Sequence, residues 1–266
     1  MTFVRLLKAV SGSEAIRPFL LIVIILVGWD LGVRLFRIPP YLIPAPSLVV
    51  AELISQWHLL LREALPTLYA TLGGFALSAL FGIPVAMLIA SSRTVESFLY
   101  PILVFSQSVP KIAVAPLFVV WFGFGIIPKV IAAFLLGFFP VVVATVLGLK
   151  SIDSDMIDLA RSMRASRLQT FLCIRLPHAL PSIFGGLKVS ITLAVVGAVV
   201  GEFVGSNSGI GYVLQIANGN FDLPLMFAAL FVLSMMGVLL FMALELAERF
   251  LVPWHASRRG DFAGTA

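Results

Sequence analysis

Long apolar runs alternate with short polar segments along almost the whole chain. A membrane-spanning helix needs about 20 mostly apolar residues. The stretches that meet this requirement run approximately over residues 18–36, 65–90, 98–122, 126–149, 183–204 and 223–251. We therefore predict an all-α polytopic membrane protein with six transmembrane helices, folded as a single transmembrane domain over residues 1–266 with a core at about 64–251.

Prolines and glycines set the boundaries and breaks of these runs. The segment 38–46 is too rich in proline to be helical, and Ser47 is predicted to cap a short helix through about Leu61 that is too polar to span. Pro110 and Pro116 are expected to loosen the third span. A glycine- and asparagine-rich stretch over 205–220 separates the last two spans, and Gly209 and Gly211 within it favour a tight corner.

The longest polar interruption runs from Ser151 to Pro181, and we call it the docking loop. The pattern predicts two short helices in it, the first capped by Asp153 or Ser154. Ser166 and Gln169 fit an S-x-x-Q capping box for the second, which the prolines of the loop should interrupt before the next apolar run. One narrow apolar face of the first helix follows helical spacing. It comprises Met156, Leu159, Ala160 and Met163, with Ile157 beside them.

Composition excludes a soluble protein, because 60% of the residues are hydrophobic, only 12% are charged and the mean hydropathy is +1.08. The net charge of +5 is not read as a nucleic-acid signal, since Lys and Arg mark the cytoplasmic loops of membrane proteins. The basic residues that place both termini and the docking loop in the cytoplasm are Arg5, Lys8, Arg17, Arg93, Lys150, Arg161, Arg164, Arg167, Arg175, Lys188, Arg249, Arg258 and Arg259. Arg34, Arg37, Arg62 and Lys129 fall on the opposite side in this topology.

Catalytic and metal-binding motifs are not found in the sequence. There is no G-x-x-x-x-G-K-[ST] phosphate loop for binding a nucleotide. His58, His178 and His255 are scattered, and lone Cys173 has no second cysteine to pair with. We expect no enzyme activity, metal or cofactor in this chain.

Polar residues inside the predicted spans are candidates for a translocation pathway, because charge in lipid is costly. They are Gln107, Lys111 and Glu202. Gln107 and Lys111 share one helix face if Pro110 does not break the helix between them. Two interpretations stay open: Lys111 faces an anionic solute, or Lys111 and Glu202 form a structural pair.

A spaced motif in the docking loop points to a family. Asp158-Leu159-Ala160 is followed after three residues by Arg164, and after nine more by Ile174-Arg175-Leu176-Pro177. This resembles the cytoplasmic signature of binding-protein-dependent ABC importer permeases, E-A-A, three residues, Gly, nine residues, I-x-L-P. Asp in place of Glu keeps the charge. Arg164 stands where that family has a glycine at a left-handed corner, at a cost of about 1 kcal/mol for a residue with a Cβ, so the sequence leaves the geometry of the corner open.

Further segments resemble the nitrate, sulfonate and taurine branch of these permeases, which includes relatives that handle pyrimidine and aromatic compounds. They are residues 42–46 (LIPAP), 115–123 (APLFVVWFG) and 208–211 (SGIG). The resemblance implies a bacterial inner-membrane permease with one span preceding a five-helix type I importer core, acting as a homodimer. It implies two cytoplasmic ATPase subunits that bind ATP and Mg²⁺, and an extracytoplasmic substrate-binding protein. The residues implied in coupling to the ATPase are Asp158, Leu159, Ala160, Met163, Arg164, Ile174, Leu176 and Pro177.

Three alternatives accompany this interpretation. The docking loop could be an amphipathic helix that lies on lipid headgroups. The protein could be a secondary transporter driven by an ion gradient, although such proteins often show internal repeats and midplane carboxylates, and Glu202 is the single candidate deep in a span. A purely structural scaffold would leave the docking motif unexplained. The implied solute is small, either anionic (sulfonate, nitrate or carboxylate) or heterocyclic.

Overall fold

The computed structural model describes residues 16–256, and the described part is helical throughout, with loops between the helices. The helices are α1 (Ile16–Leu35), α2 (Pro46–Ser55), α3 (Trp57–Ser91), α4 (Arg93–Ser108), α5 (Lys111–Phe122), α6 (Ile126–Lys150), α7 (Ser154–Ser162), α8 (Arg167–Thr170), α9 (Leu176–Gly205), α10 (Ile210–Gly219), α11 (Leu223–Leu251) and α12 (Pro253–Ala256). The all-α prediction is confirmed for these residues.

The chain divides into two compact units. One consists of the described residues of Met1–Leu61 together with Val213–Phe231, and the other of Arg62–Tyr212 with the described residues of Val232–Ala266. The docking loop, the helices that flank it and the polar residues of interest all belong to the second unit.

Several helices of the described part are long and apolar enough to cross a membrane. They are α3, α6, α11 and the continuous helix Arg167–Gly205, and a fifth span results if the bent pair α4 and α5 crosses together. Helix α11 has the bounds that the apolar pattern predicts for the sixth span. Helix α1 coincides with the predicted first span, and the count of six spans stays a prediction.

Pro110 breaks the third predicted span. Helices α4 and α5 meet at an angle of 91°, because a proline removes a backbone donor and forces the preceding residue, here Val109 at φ −71° and ψ 124°, into extended geometry. Gln107 and Lys111 therefore lie on different helices, and the condition for their sharing one face is not met.

The predicted interruption by Pro177 and Pro181 is wrong. The chain stays helical through both prolines and into the fifth span, as the helix Arg167–Gly205. The adjustment occurs one turn earlier, where Phe171–Arg175 forms a π turn and the Leu176 N–H donates to the Phe171 carbonyl. This wider turn relieves the clash that the Pro177 ring would otherwise make with the carbonyl four residues before it.

Ser47 does not cap the short second helix, and that prediction is also wrong. Ala45 is the N-cap residue without a side-chain cap, and Pro46 supplies the preset φ of the first turn. The Ser47 hydroxyl and N–H instead donate to Asp30 Oδ1 at 2.5 and 3.1 Å, while Asp30 pairs with Arg34 at 2.7 Å. These contacts hold the proline-rich segment against the end of α1.

Helices α6 and α9 pack extensively against each other, and small residues allow it. A Cβ added at Gly201 would lie 2.7 Å from Lys129 Cα, and one added at Gly148 would lie 2.7 Å from Ser182 Cβ. Close backbone approach at small residues is how helices pack without a hydrophobic driving force in lipid. We call this contact the α6–α9 seam.

Candidate functional site

The first helix of the docking loop begins as the sequence predicts. Asp153 is its N-cap and accepts a hydrogen bond from the Asp155 N–H at 3.1 Å. The capping box of the second helix is also confirmed. The Ser166 hydroxyl accepts from the Gln169 N–H at 3.2 Å, and the Gln169 side chain accepts from the Ser166 N–H at 2.8 Å. Local sequence alone therefore fixes both helix starts.

Arg164 makes the corner between the two helices, and it does so in the left-handed conformation, at φ 57°. The Arg164 N–H donates to the Arg161 carbonyl at 2.9 Å, and the Ala165 N–H donates to the Ala160 carbonyl at 3.0 Å. This pair of bonds is the Schellman arrangement that normally ends in glycine. The corner keeps the geometry typical of glycine although arginine occupies it.

The apolar face of α7 divides into an exposed row and a buried anchor. Met156, Leu159 and Met163 are 51%, 57% and 75% exposed, whereas Ala160 is 4% exposed. We call the three exposed residues the docking row. A cluster of exposed large apolar side chains on a charged loop is typical of a contact surface, and the coupling role of these residues stays a prediction. Ala160 contributes by letting α7 pack closely against the rest of the unit.

The remaining motif residues take different positions. Asp158 is exposed and pairs with Arg161 at 2.9 Å. Leu176 packs against the buried cluster around Leu149, Ile183 and Val252. Ile174 and Pro177 are half-buried on the π turn and the first turn of α9. They hold the loop in place, whereas Asp158 and the docking row face outward.

A second polar arrangement lies inside the unit, around Glu202 on α9. The Glu202 carboxylate is fully buried and 3.6 Å from Lys129 Nζ on α6. It accepts hydrogen bonds from the Thr67 hydroxyl at 2.9 Å and the Gly211 N–H at 2.8 Å. The alternative pair of Lys111 with Glu202 is therefore wrong, since the partner of Glu202 is Lys129.

The same arrangement fixes the start of α10. Thr67 accepts from the Ile210 N–H, and Glu63 accepts from the Gly209 N–H, each at 2.8 Å. The first N–H groups of a helix have no partner within the helix; here they are satisfied by side chains from α3 and α9. We call Glu63, Thr67, Lys129 and Glu202 the Glu202 cluster.

Lys129 does not belong among the loop charges that were counted to predict the topology. It is only 3% exposed and donates to the Ser208 carbonyl at 2.7 Å, so it is not a loop charge on the far side. Its place at the start of an apolar run was a signal for burial that loop counting ignores. Lys188, counted with the docking-loop charges, is likewise buried, pairs with Glu248 and lies 5.5 Å from the Phe241 ring centroid.

The other predicted pathway residues lie apart from this cluster. Gln107 is exposed near the end of α4. Lys111 is half-buried at the first position of α5, with Nζ 5.6 Å from the centroid of the Phe139 ring. The structure thus does not bring Gln107, Lys111 and Glu202 together into one site, and the pathway roles of these residues stay predictions.

The family described as binding-protein-dependent transport system inner membrane component matches residues 78–255. This chain belongs to that family. The permease is thus a transport subunit of ABC importers rather than an enzyme, and the docking motif lies within the matched region.

Individual relatives agree with the predicted branch. The permease is 40% identical to the formylaminopyrimidine transport permease protein ThiX of Halalkalibacterium halodurans, over 91% of this chain and 96% of that one. It is 39% identical to the riboflavin transport system permease protein RibX of Chloroflexus aurantiacus, over 89% of each chain. It is 32% identical to the putative aliphatic sulfonates transport permease protein SsuC of Bacillus subtilis, over 92% and 89%. The predicted resemblance is confirmed.

A solved structure supports the fold. A chain of the inward-facing MetNI methionine ABC transporter superposes on the permease with a TM-score of 0.59 at 21% identity, covering 75% of this chain and 97% of that one. At this identity the likeness concerns the fold, which is that of an importer permease.

Proposed function

We propose that this permease imports a small nitrogen heterocycle through a complex that it forms with a second copy of itself, two cytoplasmic ATPase subunits and an extracytoplasmic binding protein. The observation that carries the proposal is the docking row, three exposed apolar side chains held on a capped helix between two membrane helices. ATP and Mg²⁺ would bind to the ATPase subunits.

The docking row suits insertion into a cleft of a partner protein. Its helix is short, so its position depends on the Asp153 cap, the Arg164 corner and buried Ala160. Apolar anchors on a rigid support are the usual centre of protein–protein contacts. The alternative of a helix that lies on lipid is less favoured, because exposed Asp155 and Asp158 flank the row on one side of α7 and an anionic surface would repel these two carboxylates.

A nitrogen heterocycle is the solute class that the comparisons favour. The relatives at 40% and 39% identity are named for formylaminopyrimidine and riboflavin, whereas the relative named for aliphatic sulfonates is 32% identical. An aliphatic sulfonate is therefore the second candidate. Lys111 at the bend of the broken span would supply a positive charge for an anionic solute of either kind.

An ion-gradient-driven transporter is less consistent with the geometry. Such a mechanism needs a carboxylate that can exchange an ion during transport. Glu202 is instead held by Lys129, Thr67 and the Gly211 N–H. These contacts favour a fixed structural group.

Reconstitution tests the proposal. The permease would be co-purified with its ATPase and binding-protein partners and placed in proteoliposomes. We expect ATP hydrolysis to rise on addition of the loaded binding protein, and labelled formylaminopyrimidine or riboflavin to accumulate only with ATP. Accumulation of taurine alone would move the solute class to sulfonates. Uptake that follows a proton or sodium gradient without ATP would contradict the proposal.

A further inference from the structure

A groove of about 630 Å³ lies between the end of α3 and the docking loop. Three arginines line it, Arg161, Arg167 and Arg175, and none of its lining residues is acidic. The groove therefore concentrates positive charge in one concave place.

These arginines have few hydrogen-bond partners within the described part of the chain. Arg161 shares one hydrogen bond with exposed Asp158. Arg175 Nε is buried and has no hydrogen-bond partner among the described residues. Because the Nε atom is shielded from the groove, an acceptor there would be met by the Nη donors of the Arg175 guanidinium, for which the described residues offer no partner.

The shape of the guanidinium group indicates which class of ligand would bind in the groove. Arginine presents a planar fork of donors that matches the oxygens of phosphate or carboxylate. Arg175 is positioned by the π turn that precedes Pro177, and Arg167 by the first turn of α8, next to the capping box. Both arginines are thus held on ordered backbone, which favours a specific site over diffuse attraction.

The position of the groove separates it from the docking row. At about 100° per residue, Arg161 lies roughly 140° or more around α7 from Met156, Leu159 and Met163. A partner seated on the docking row would leave this flank free. Ser91, the last residue of α3, also lines the groove, so the groove lies at one end of a helix that is long enough to cross the membrane.

We propose that the groove between α3 and the docking loop binds a phosphate group through Arg161, Arg167 and Arg175, supplied by the headgroup of an anionic phospholipid. Free inorganic phosphate has the same chemistry and is the other possible source. The inference uses only the membrane location of the permease, so its failure would leave the proposed import function untouched.

Native mass spectrometry of the purified full-length permease tests the lipid source. Short-chain phosphatidylglycerol and phosphatidylcholine would be titrated against the wild type and the double variant Arg167→Gln, Arg175→Gln. We expect the wild type to prefer phosphatidylglycerol, and the double variant to bind it roughly 30-fold more weakly, since each basic residue near a headgroup contributes about fivefold. The matched control is Arg93→Gln, because Arg93 is an exposed arginine close in sequence to Ser91 but outside the groove.

A second experiment distinguishes free inorganic phosphate from a lipid headgroup as the source of the bound phosphate group. Inorganic phosphate would be titrated against the permease in phosphatidylcholine nanodiscs while thermal unfolding is followed. Stabilisation that is present in the wild type and absent in the double variant would support the site and assign it to free phosphate. Arg167→Gln alone changes an exposed side chain and keeps the test valid if the double variant folds poorly. Equal binding by the wild type and both variants in both arms would overturn the proposal.

Discussion

Glu202 and Lys129 form an ion pair inside the protein, with 3.6 Å between Oε1 and Nζ and exposures of 0% and 3%. They come from α9 and α6, and the pair also holds the chain around the start of α10, because Lys129 donates to the Ser208 carbonyl and Glu202 accepts from the Gly211 N–H. The pair therefore connects α6 with a distant part of the sequence, the end of α9 and the start of α10.

Removing one member of this pair should destabilise the fold. We expect Lys129→Met to lower the free energy of unfolding by about 3–5 kcal/mol, because it leaves the Glu202 carboxylate buried without its counter-charge. Adding Glu202→Gln should restore part of the loss. The measurement is thermal or denaturant unfolding of the purified permease, and the control is Lys111→Met at a half-buried lysine. Wild-type stability in Lys129→Met would mean that the pair contributes nothing.

Gly209 should not tolerate a side chain. Its φ is 110°, and a Cβ there would collide with the Glu202 carboxylate. We expect Gly209→Ala to lower both the thermal midpoint and the transport rate. Gly219→Ala is the matched control, because no heavy atom lies within 4 Å of the Cβ that it would add. Equal midpoints for the two variants would argue against the tight packing of this corner.

Arg164→Gly should stabilise the docking loop. Glycine adopts the left-handed conformation found at φ 57° without the cost of about 1 kcal/mol that a Cβ adds. Slower hydrogen exchange at the Arg164 and Ala165 amides would record this gain, with transport unchanged. Loss of transport in a loop that remains ordered would show that the Arg164 side chain contacts the partner.

Leu159→Asn should uncouple the permease from its ATPase. The side chain is exposed, so the polar replacement leaves the packing of the permease intact while removing a central member of the docking row. We expect ATP hydrolysis in the reconstituted complex to lose its response to the loaded binding protein, with little change in the thermal midpoint. Asp155→Asn, an exposed change elsewhere on the same helix, should respond as the wild type does. An unchanged response in Leu159→Asn would remove the docking assignment.

Labelling determines the orientation. Cys173 is exposed and must first be replaced by serine, after which single cysteines are introduced at Ser162 and Asn218. We expect an impermeant maleimide added to intact cells to label only the Asn218 position, and to label the Ser162 position only after the membrane is opened. The reverse result would place the docking loop outside and exclude coupling to a cytoplasmic ATPase.

Features set by neighbouring residues were predictable from the sequence. The caps at Asp153 and Ser166 depend on side chains that reach backbone groups two or three residues away. The bounds Leu223–Leu251 follow from a long apolar run in which charged residues occur only near the end, at Glu245, Glu248 and Arg249. In each case the alternative conformations differ only in contacts between neighbouring residues, so the residue pattern is enough to predict which conformation forms.

Features set by distant contacts were not predictable. Glu202 and Lys129 are 73 positions apart, and Lys129 resembles a loop charge until the fold buries it. Ala160 has the spacing of the docking row, yet which of these side chains turns inward depends on what α7 packs against. Pro177 normally ends a helix, and no local rule predicts the π turn that accommodates it.

The α6–α9 seam has a mechanical consequence. The two helices that flank the docking loop touch through backbone at both ends, from Gly148 and Ser182 near the loop to Lys129 and Gly201 some 29 Å away, as the 19 residues from Ser182 to Gly201 rise about 1.5 Å each. Their ends cannot spread apart without opening those contacts. A displacement of α7 therefore moves both helices together as a rigid pair. At the end of this pair farthest from α7, Glu202 accepts the hydrogen bond from the Gly211 N–H at the start of α10.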